Sequence, residues 1–352
     1  MPNGGVYLTT NFAVAVREPT DVAEARRTAL AVARRVAFDE DSAGRLAIVV
    51  TEAATNVIKH GGGGAIVVGA REEGNAGVVE VFALDRGAGI VDIERSRRDG
   101  FSTAGSPGNG LGAIARLSTT HEIYSARGLG TVVMARICCG QAPAAGVAAC
   151  SDFEVGAICV PQSGEDVSGD SWVAQAQPAR LRVLLADGLG HGPGAFQASI
   201  AAVDIAEAYP TDSPADMVGR VHDGLRSTRG AAVAVAEIDT RDAVVRYAGL
   251  GNVAGSLVKL GEARRQMVSH NGTAGHNARK IQQFTYPWRP GALLILHSDG
   301  IGTHWSLDRY PGIFHSHPSV IAAVLFRDFQ RGRDDAAIVV ARQTAAASGV
   351  PS

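Results

Sequence analysis

Cysteine is scarce in this sequence, and its positions exclude the usual uses of clustered cysteines. The chain has four: Cys138, Cys139, Cys150 and Cys159. They form no CxxC pair and have no nearby histidine pair, which argues against a structural zinc site. We therefore expect reduced thiols, buried or in a linker, rather than a disulfide framework.

Long hydrophobic runs and an excess of charge are also absent. No apolar stretch approaches the roughly 18 residues that indicate a membrane-spanning helix. The first residues, MPNGGVYLTTNF, have neither the basic nor the apolar region of a signal peptide. The formal net charge of −2 argues against nucleic acid or an anionic membrane as the main partner. We expect a cytoplasmic protein.

Length and composition are sufficient for two domains. The chain has 352 residues, of which 46% are hydrophobic, and a domain contains roughly 150 residues. Residues 139–151 are rich in small residues and contain one proline, which is typical of a linker. We predict a first domain at 1–138, a second at 152–345 and a tail at 346–352.

Acidic residues beside predicted strands characterise the second half of the chain. An apolar run at 183–186 predicts a buried strand that ends at Asp187-Gly188. Carboxylates held at strand ends can assemble an all-oxygen site for two divalent cations. The other acidic residues in such a setting are Asp170, Asp299, Asp334 and Asp335.

The first half combines a polar helix face with two glycine-rich segments. A helix predicted at 42–60 carries Glu52 and Asn56 on one face, because they are four residues apart. This pair alone fits either a solvated face or a site. The glycine-rich segments are DRGAG at 85–89, after a strand, and GNGLG at 108–112, at a helix start. Glycines at a helix start let backbone N–H groups approach phosphates, but the βαβ order of a dinucleotide fold is absent.

These motifs give the first domain a resemblance to the GHKL ATPases. The matching segments are TEAATNVIKHGGGG (51–64), LDRGAGI (84–90), RDGFSTAG (98–105) and GNGLGAIARL (108–117). Within that family they are most similar to the RsbT-type serine/threonine kinases of anti-sigma and stressosome systems. The resemblance implies a Bergerat-type two-layer α/β sandwich.

The resemblance also implies ATP with Mg²⁺ as the cofactor of this domain. Asn56 would ligate the Mg²⁺ ion, and Asp85 would accept a hydrogen bond from the adenine amino group. Glu52 would act as the general base that takes the proton of the acceptor hydroxyl. Gly87 and Gly89 would shape the purine pocket, and Gly108, Gly110 and Gly112 would hold the phosphates beneath a lid at 90–107.

The second domain resembles the SpoIIE and RsbX branch of the PPM metal-dependent protein phosphatases. The matching segments, in the order of that family, are VSGDSW (167–172), LADGLGHG (185–192), STRGAAVAV (227–235), GLGNV (249–253), LHSDGI (296–301) and GRDDAAIVV (332–340). The resemblance implies an α/β/β/α sandwich, so the whole chain is expected to be an α+β protein of two domains.

The same resemblance implies a two-metal site for Mn²⁺ or Mg²⁺. Its ligands would be Asp170, Asp187, the carbonyl of Gly188, Asp299 and Asp334, and Asp335 is the alternative to Asp334. The sequence departs from the family at two places. Ser171-Trp172-Val173 follows the first Gly-Asp where many relatives have a second acidic residue, and Ala337 replaces a usual threonine.

Three other expectations concern single features of the chain. Residues 6–16 alternate loosely between apolar and polar residues and predict one strand of the first domain. Asn252 is expected to have a structural role in a turn. His191 fits either a contact to substrate phosphate or a loop residue without a ligand role.

Two functions follow from these motifs. In the first, the protein phosphorylates a serine or threonine of a STAS-domain partner, alone or within a stressosome, and also removes that phosphate. In the second, only the phosphatase is catalytic and the ATP-binding domain is a nucleotide-dependent binding module. Glu52 favours the first function, because a binding module needs no general base.

Overall fold

The computed structural model describes residues 5–7, 11–73, 76–90, 110–139 and 152–344. The chain forms two compact units. The amino-terminal unit consists of Thr9–Ala148 together with Arg309–Arg327, and the carboxy-terminal unit consists of Met1–Leu8, Ala149–Asp308 and Asp328–Ser352. These units differ from the domains predicted at 1–138 and 152–345 in two segments. Met1–Leu8 is grouped with the carboxy-terminal unit, and Arg309–Arg327 is grouped with the amino-terminal unit.

Sixteen strands lie in the described part of the chain. In chain order they are β1 Gly5–Tyr7, β2 Phe12–Val16, β3 Gly64–Glu73, β4 Ala76–Asp85, β5 Thr120–Ser125, β6 Thr131–Cys138, β7 Phe153–Val160, β8 Asp170–Gln177, β9 Arg180–Gly188, β10 Ala231–Asp239, β11 Val244–Leu250, β12 Ala254–Val258, β13 Arg265–Met267, β14 Phe284–Pro287, β15 Leu293–His297 and β16 Ala336–Gln343.

The described residues also form six α-helices. They are α1 Pro19–Arg34, α2 Glu40–Gly61, α3 Gly110–Leu117, α4 Pro193–Ala208, α5 Pro214–Gly224 and α6 Pro318–Phe329. Among the described residues, no helix is long and apolar enough to span a membrane.

The amino-terminal unit is built on an antiparallel sheet with the order β2-β3-β4-β6-β5. Helix α2 begins where the Asp39 side chain accepts a hydrogen bond from the Ser42 N–H, and it ends at Gly62, whose φ is +68°. Its apolar side, with Leu46 and Val57, packs with α1 and the sheet in one core. This is the predicted two-layer α/β sandwich.

Helix α6 belongs to the amino-terminal unit up to Arg327, although its sequence lies within the second predicted domain. Every residue from 318 to 327 is buried. A helix that is apolar on all sides has no face for solvent and must be covered all round. Within this unit, the carboxylate of Glu122 accepts hydrogen bonds from the His317 N–H, and the Tyr124 hydroxyl donates to the carbonyl of Pro311.

The carboxy-terminal unit contains two antiparallel sheets. One has the order β1-β8-β9-β10-β11-β14 and the other β13-β12-β15-β16-β7. A core that includes Trp172, Leu185 and Leu296 connects residues of both sheets. A second core joins α4 and α5, through Val203 and Met217, to the first sheet. The arrangement agrees with the predicted PPM-type sandwich.

The single strand predicted at 6–16 is wrong. The structure has two strands there, and they belong to different sheets. Gly5–Tyr7 pairs with β8 in the carboxy-terminal unit, whereas Phe12–Val16 pairs with β3 in the amino-terminal unit. A short edge strand satisfies the backbone groups at the free side of β8, and local alternation cannot tell which sheet offers that edge.

One buried ion network in the amino-terminal unit gives a testable pH dependence. Glu80 on β4 contacts Arg136, 2.8 Å away, and Arg71, 3.6 Å away. Burial alone would raise the pKa of Glu80, but the attraction of the two arginines outweighs it and lowers the pKa from 4.5 to about 2. The ionised carboxylate therefore stabilises the fold above about pH 4.5, and this contribution is lost as the pH falls toward 2.

We predict that Glu80→Gln lowers the free energy of unfolding of the full chain at pH 7 by about 3 kcal/mol. The variant will also show a smaller loss of stability than the unchanged protein between pH 5 and pH 3. The check is thermal unfolding followed by circular dichroism across that pH range. The control is Glu72→Gln, which changes an exposed residue of the neighbouring strand. Equal acid sensitivity of the Glu80 variant and the unchanged protein would contradict the prediction.

Candidate functional site

The first predicted site lies where α2 meets the start of α3. Glu52 and Asn56 project from α2 toward Gly110, the first residue of α3. A Cβ atom at Gly110 would lie 3.0 Å from Glu52 Oε2 and 3.2 Å from Asn56 Nδ2 and Oδ1. The structure thus brings Gly110 next to two residues that lie more than 50 positions earlier in the sequence. The glycine leaves space beside their side chains that a Cβ atom would narrow.

Asn56 carries an unsatisfied polar group at this point. Its Nδ2 atom is buried and has no hydrogen-bond partner among the described residues. Buried side-chain polar atoms are normally hydrogen-bonded, so an orphaned amide beside a carboxylate and a helix start is a candidate ligand-binding group. This observation fits the Mg²⁺-nucleotide that the sequence implies.

Asp85 ends β4 at the other side of the same site. Its Oδ1 atom accepts hydrogen bonds from the N–H groups of Gly87, at 2.8 Å, and Thr131, at 3.1 Å. Its Oδ2 atom accepts none from the described part of the chain. Burial raises the pKa of Asp85, and the two backbone donors and Arg327 oppose that rise. One oxygen is therefore fixed by the protein and the other remains available as an acceptor.

Glycines surround Asp85 because a side chain would not fit. At Gly87 a Cβ atom would lie 2.7 Å from the His60 carbonyl oxygen and 3.1 Å from Asp85 Oδ1. Gly89 has a φ of +77°, and a side chain there would collide with the Ala126 carbonyl. Gly112 is buried in α3. Gly108 and all but the first residue of the lid predicted at 90–107 lie outside the described residues.

Strand pairing assembles the second predicted site in the carboxy-terminal unit. Asp170 begins β8 and Asp187 lies near the end of β9, and the two residues are direct partners in the antiparallel register. Asp170 Oδ2 accepts a 2.7 Å hydrogen bond from the Ser298 hydroxyl. Asp170 Oδ1 is buried without a partner in the described residues. Burial and the charge of Asp187 raise the pKa of Asp170 well above its usual range.

Asp299 follows β15 and lies close to Asp187, whose pKa its charge raises. The Asn252 side chain donates to Asp299 Oδ2 at 2.6 Å. Burial and the charges of Asp299 and Asp334 together raise the pKa of Asp187 to about 7. Burial and Asp334 likewise raise the pKa of Asp299. These carboxylates are therefore close enough to destabilise each other's charge.

The last acidic pair divides into an exposed and a buried residue. Asp334 is exposed, and its Oδ1 atom accepts a hydrogen bond from the Asp335 N–H at 2.9 Å. Asp335 is 3% exposed, and its Oδ1 atom accepts from the Gln162 N–H. Its Oδ2 atom is buried without a partner in the described part of the chain. Both residues raise the pKa of Asp187, so both lie beside the other carboxylates.

Gly188 is fixed in the backbone of this edge. Its N–H donates to the carbonyl of Gly169 at 3.0 Å, and a side chain on it would collide with the Ala195 carbonyl. The next residue, Leu189, donates its N–H to the Gly230 carbonyl at 2.9 Å. The carbonyl of Gly188, the predicted backbone ligand, therefore lies at the end of β9, where the backbone is held between β10 and α4.

The donor set fits hard divalent cations. It consists of carboxylate and carbonyl oxygens. Asp170 and the adjacent Asp335 each have a buried oxygen without a partner among the described residues. The charges of neighbouring carboxylates raise the pKa of Asp170 and Asp187. Among the described residues, no three of these side chains already surround a common point at coordination distance. A bound cation would offset the repulsion between these carboxylates.

Two neighbours of the site were not predicted from sequence. Ser298 is fully buried and connects Asp170 Oδ2 to the N–H of Ala337. Its position directly before Asp299 was the only sequence signal. Asn252, expected to bond a turn, instead contacts Asp299. His191 pairs with Glu165 at 2.6 Å.

Among the described residues, no cysteine thiol is suited to act as a nucleophile at this sheet edge. Cys159 is buried, and its sulfur lies 3.4 Å from both the Ser168 hydroxyl and the Asp170 carbonyl oxygen. Burial raises the pKa of the Cys159 thiol above its usual range. The thiolate form that a nucleophilic cysteine needs is therefore disfavoured here.

Comparison with known protein families agrees with this division into two sites. The histidine kinase-like ATPase domain matches residues 15–137, and the stage II sporulation protein E (SpoIIE) domain matches residues 177–344. The first match contains the Glu52, Asn56 and Asp85 site. The second contains the acidic residues from Asp187 to Asp335.

Two relatives from Bacillus subtilis (strain 168) match different parts of the chain. The serine/threonine-protein kinase RsbT is 33% identical over 116 residues, which cover 33% of this chain and 86% of RsbT. The phosphoserine phosphatase RsbX is 26% identical over 140 residues, which cover 40% of this chain and 70% of RsbX.

A solved structure adds support for the fold. A chain described under "The bacterial stressosome: a modular system that has been adapted to control secondary messenger signaling" is 25% identical, with a TM-score of 0.51. The match covers 54% of this chain and 99% of that chain. Taken with the two domain matches, these similarities show that the chain is a fusion of an RsbT-like ATPase domain of the histidine kinase-like family and an RsbX-like domain of the SpoIIE family.

Proposed function

We propose that this protein is a bifunctional enzyme that phosphorylates and dephosphorylates a serine or threonine of a STAS-domain partner. Residues 1–138 would carry the kinase site and residues 152–345 the phosphatase site. The observation that carries the proposal is the presence, in one chain, of two assembled sites. Glu52 and Asn56 face the start of α3 in one, and Asp170 pairs with Asp187 in the other.

In the kinase site, the residues of the chain bind and orient the reactants. Asp85 Oδ2 accepts a hydrogen bond from the adenine amino group, and Gly87 and Gly89 leave space for the purine. Asn56 ligates Mg²⁺, and Glu52, one turn away, takes the proton of the incoming hydroxyl. When bound, ATP with Mg²⁺ supplies the phosphoryl group and neutralises its charge. The glycines that approach the phosphates are Gly108, Gly110 and Gly112.

In the phosphatase site, Asp170, Asp187, Asp299, Asp334 and the Gly188 carbonyl hold two divalent cations. Two Mn²⁺ or Mg²⁺ ions, when bound, supply the activated water and neutralise the phosphate. Asp335 holds the backbone at Gln162 beside them. Ser298 fixes one oxygen of Asp170 and so leaves the other for a cation.

Similarity to the two relatives supports the choice of partner. A kinase of the RsbT type and a phosphatase of the RsbX type, joined in one chain, are expected to act on one substrate. Tethering both sites gives the second site a high effective concentration of the product of the first. A STAS-domain protein, free in the cytoplasm or assembled in a stressosome, is the substrate that fits both.

A second function would keep only the phosphatase as a catalyst. The amino-terminal unit would then bind nucleotide and sequester a partner. The presence of Glu52 next to the amide of Asn56 and the glycine of α3 favours catalysis, because sequestration requires no carboxylate at that place. Substitution of Glu52 separates the two functions.

We predict that Glu52→Gln lowers the rate of phosphoryl transfer to the partner at least about 100-fold, because the general base is lost. The affinity for ATP will change less than about threefold, since Asp85 and the glycines remain. The measurements are label transfer from ATP to a STAS-domain protein encoded beside this gene, and nucleotide binding by calorimetry. The control is Glu24→Gln, an exposed carboxylate of α1. Unchanged transfer by the Glu52 variant would contradict the role of Glu52 as the general base, whereas no transfer by the unchanged protein would favour the binding module.

We predict that Asp299→Asn lowers phosphatase activity at least about 100-fold, since a cation ligand loses its charge. In this variant, label from ATP will accumulate on the partner, and the double substitution with Glu52→Gln will show no label. The exposed Asp308→Asn serves as the control. Hydrolysis of the pre-phosphorylated partner at the normal rate by Asp299→Asn would exclude this metal site.

A further inference from the structure

Asn252, like Ser298, contacts a predicted cation ligand from outside the acidic set. It lies in the turn between β11 and β12 and is exposed. Its Nδ2 donates to Asp299 Oδ2 at 2.6 Å. The two residues are 47 positions apart, so the contact is made by the fold and not by a local turn.

The turn that carries Asn252 is rigid. Gly251 has a φ of +95°, a conformation that other residues rarely adopt. Its N–H donates to the His270 carbonyl at 2.9 Å. A Cβ atom at Gly251 would lie 2.5 Å from the Cβ of Ala232, and Ala232 is the register partner of Asp187. The turn is therefore packed against the strand position beside another predicted ligand.

The backbone around Asp299 is equally constrained. The Ser298 N–H donates to the Ala337 carbonyl at 3.0 Å, and a side chain at Gly300 would collide with the Asp335 carbonyl. With both flanking residues fixed, the remaining freedom of Asp299 is the rotation of its side chain. The contact from Asn252 removes that freedom.

We propose that Asn252 is a positioning residue that holds Oδ2 of Asp299 and so presents Oδ1 to a divalent cation. This inference rests on the metal site of the proposed function. A neutral amide suits the task, because a lysine or arginine in the same place would repel the cation. Hydrogen bonds from neighbouring residues orient the ligands of metal sites, and their loss typically weakens metal affinity 10- to 100-fold.

The alternative is that the bond only stabilises the turn. In that case its loss would lower the thermal stability of the metal-free protein and leave cation affinity unchanged. Metal affinity and stability therefore separate the two roles, and they do so without any measurement of catalysis.

The test uses the full chain, stripped of metal with a chelator and titrated with MnCl₂ by calorimetry. The variants are Asn252→Ala, which removes the amide, and Asn252→Gln, which keeps it on a longer side chain. Exposed Asn271→Ala is the control in a neighbouring loop. We expect the Mn²⁺ dissociation constant to rise about 10- to 100-fold in Asn252→Ala, to recover partly in Asn252→Gln and to stay unchanged in the control.

Hydrolysis of p-nitrophenyl phosphate gives a second readout. The Mn²⁺ concentration for half-maximal activity will rise by the same factor in Asn252→Ala, while kcat at saturating Mn²⁺ will change less than about threefold. Unchanged Mn²⁺ affinity in Asn252→Ala, or no recovery in Asn252→Gln, would overturn the proposal. So would the absence of Mn²⁺ binding by the unchanged protein. If that protein binds Mn²⁺ but does not dephosphorylate the STAS-domain partner, the proposed function fails while the Asn252 comparison still decides.

Discussion

Repulsion between carboxylates at one sheet edge is the constraint on which the carboxy-terminal unit depends. Asp170 and Asp187 face each other across a strand pair, and burial raises the pKa of both. Such an arrangement costs free energy in the absence of a cation. It persists because the backbone is held by strand register, by Gly188 packed against α4, and by donors such as Ser298. The fold therefore holds several carboxylates together at a cost that either protonation or a bound cation would reduce.

The constraint at the candidate site of the amino-terminal unit is different: glycine backbone lies very close to polar side chains. Gly110 lies against Glu52 and Asn56, and Gly87 lies against Asp85. Arg327 of α6 donates to the Asp85 carbonyl at 3.0 Å, and Arg86 donates to the Arg327 carbonyl. The strand end that carries Asp85 is thus held by its own loop and by a helix 242 residues further along the chain.

These contacts explain which features of the fold and of the candidate sites the sequence alone could predict, and which it could not. The acidic strand ends and the Glu52–Asn56 helix face depend on spacing within one element, so local patterns and motif order were sufficient. The two-layer sandwich and the pair of packed sheets followed from the same motifs. The roles of Ser298 and Asn252, the split of residues 6–16 between two sheets and the place of Arg309–Arg327 depend on distant partners. Hydrophobic periodicity shows that a face must be covered, but it does not show which element covers it.

Fusion of two opposing activities has a quantitative consequence under the proposed function. Every molecule that adds a kinase site also adds a phosphatase site, so both rates scale with the same protein concentration. When the partner is far from saturating either site, its phosphorylated fraction depends on the ratio of the two catalytic efficiencies and not on the amount of enzyme. Expression level then sets only how fast the steady state is reached.

A signal can change the phosphorylated fraction of the partner only by acting on one site relative to the other, through nucleotide or cation occupancy or through the partner itself.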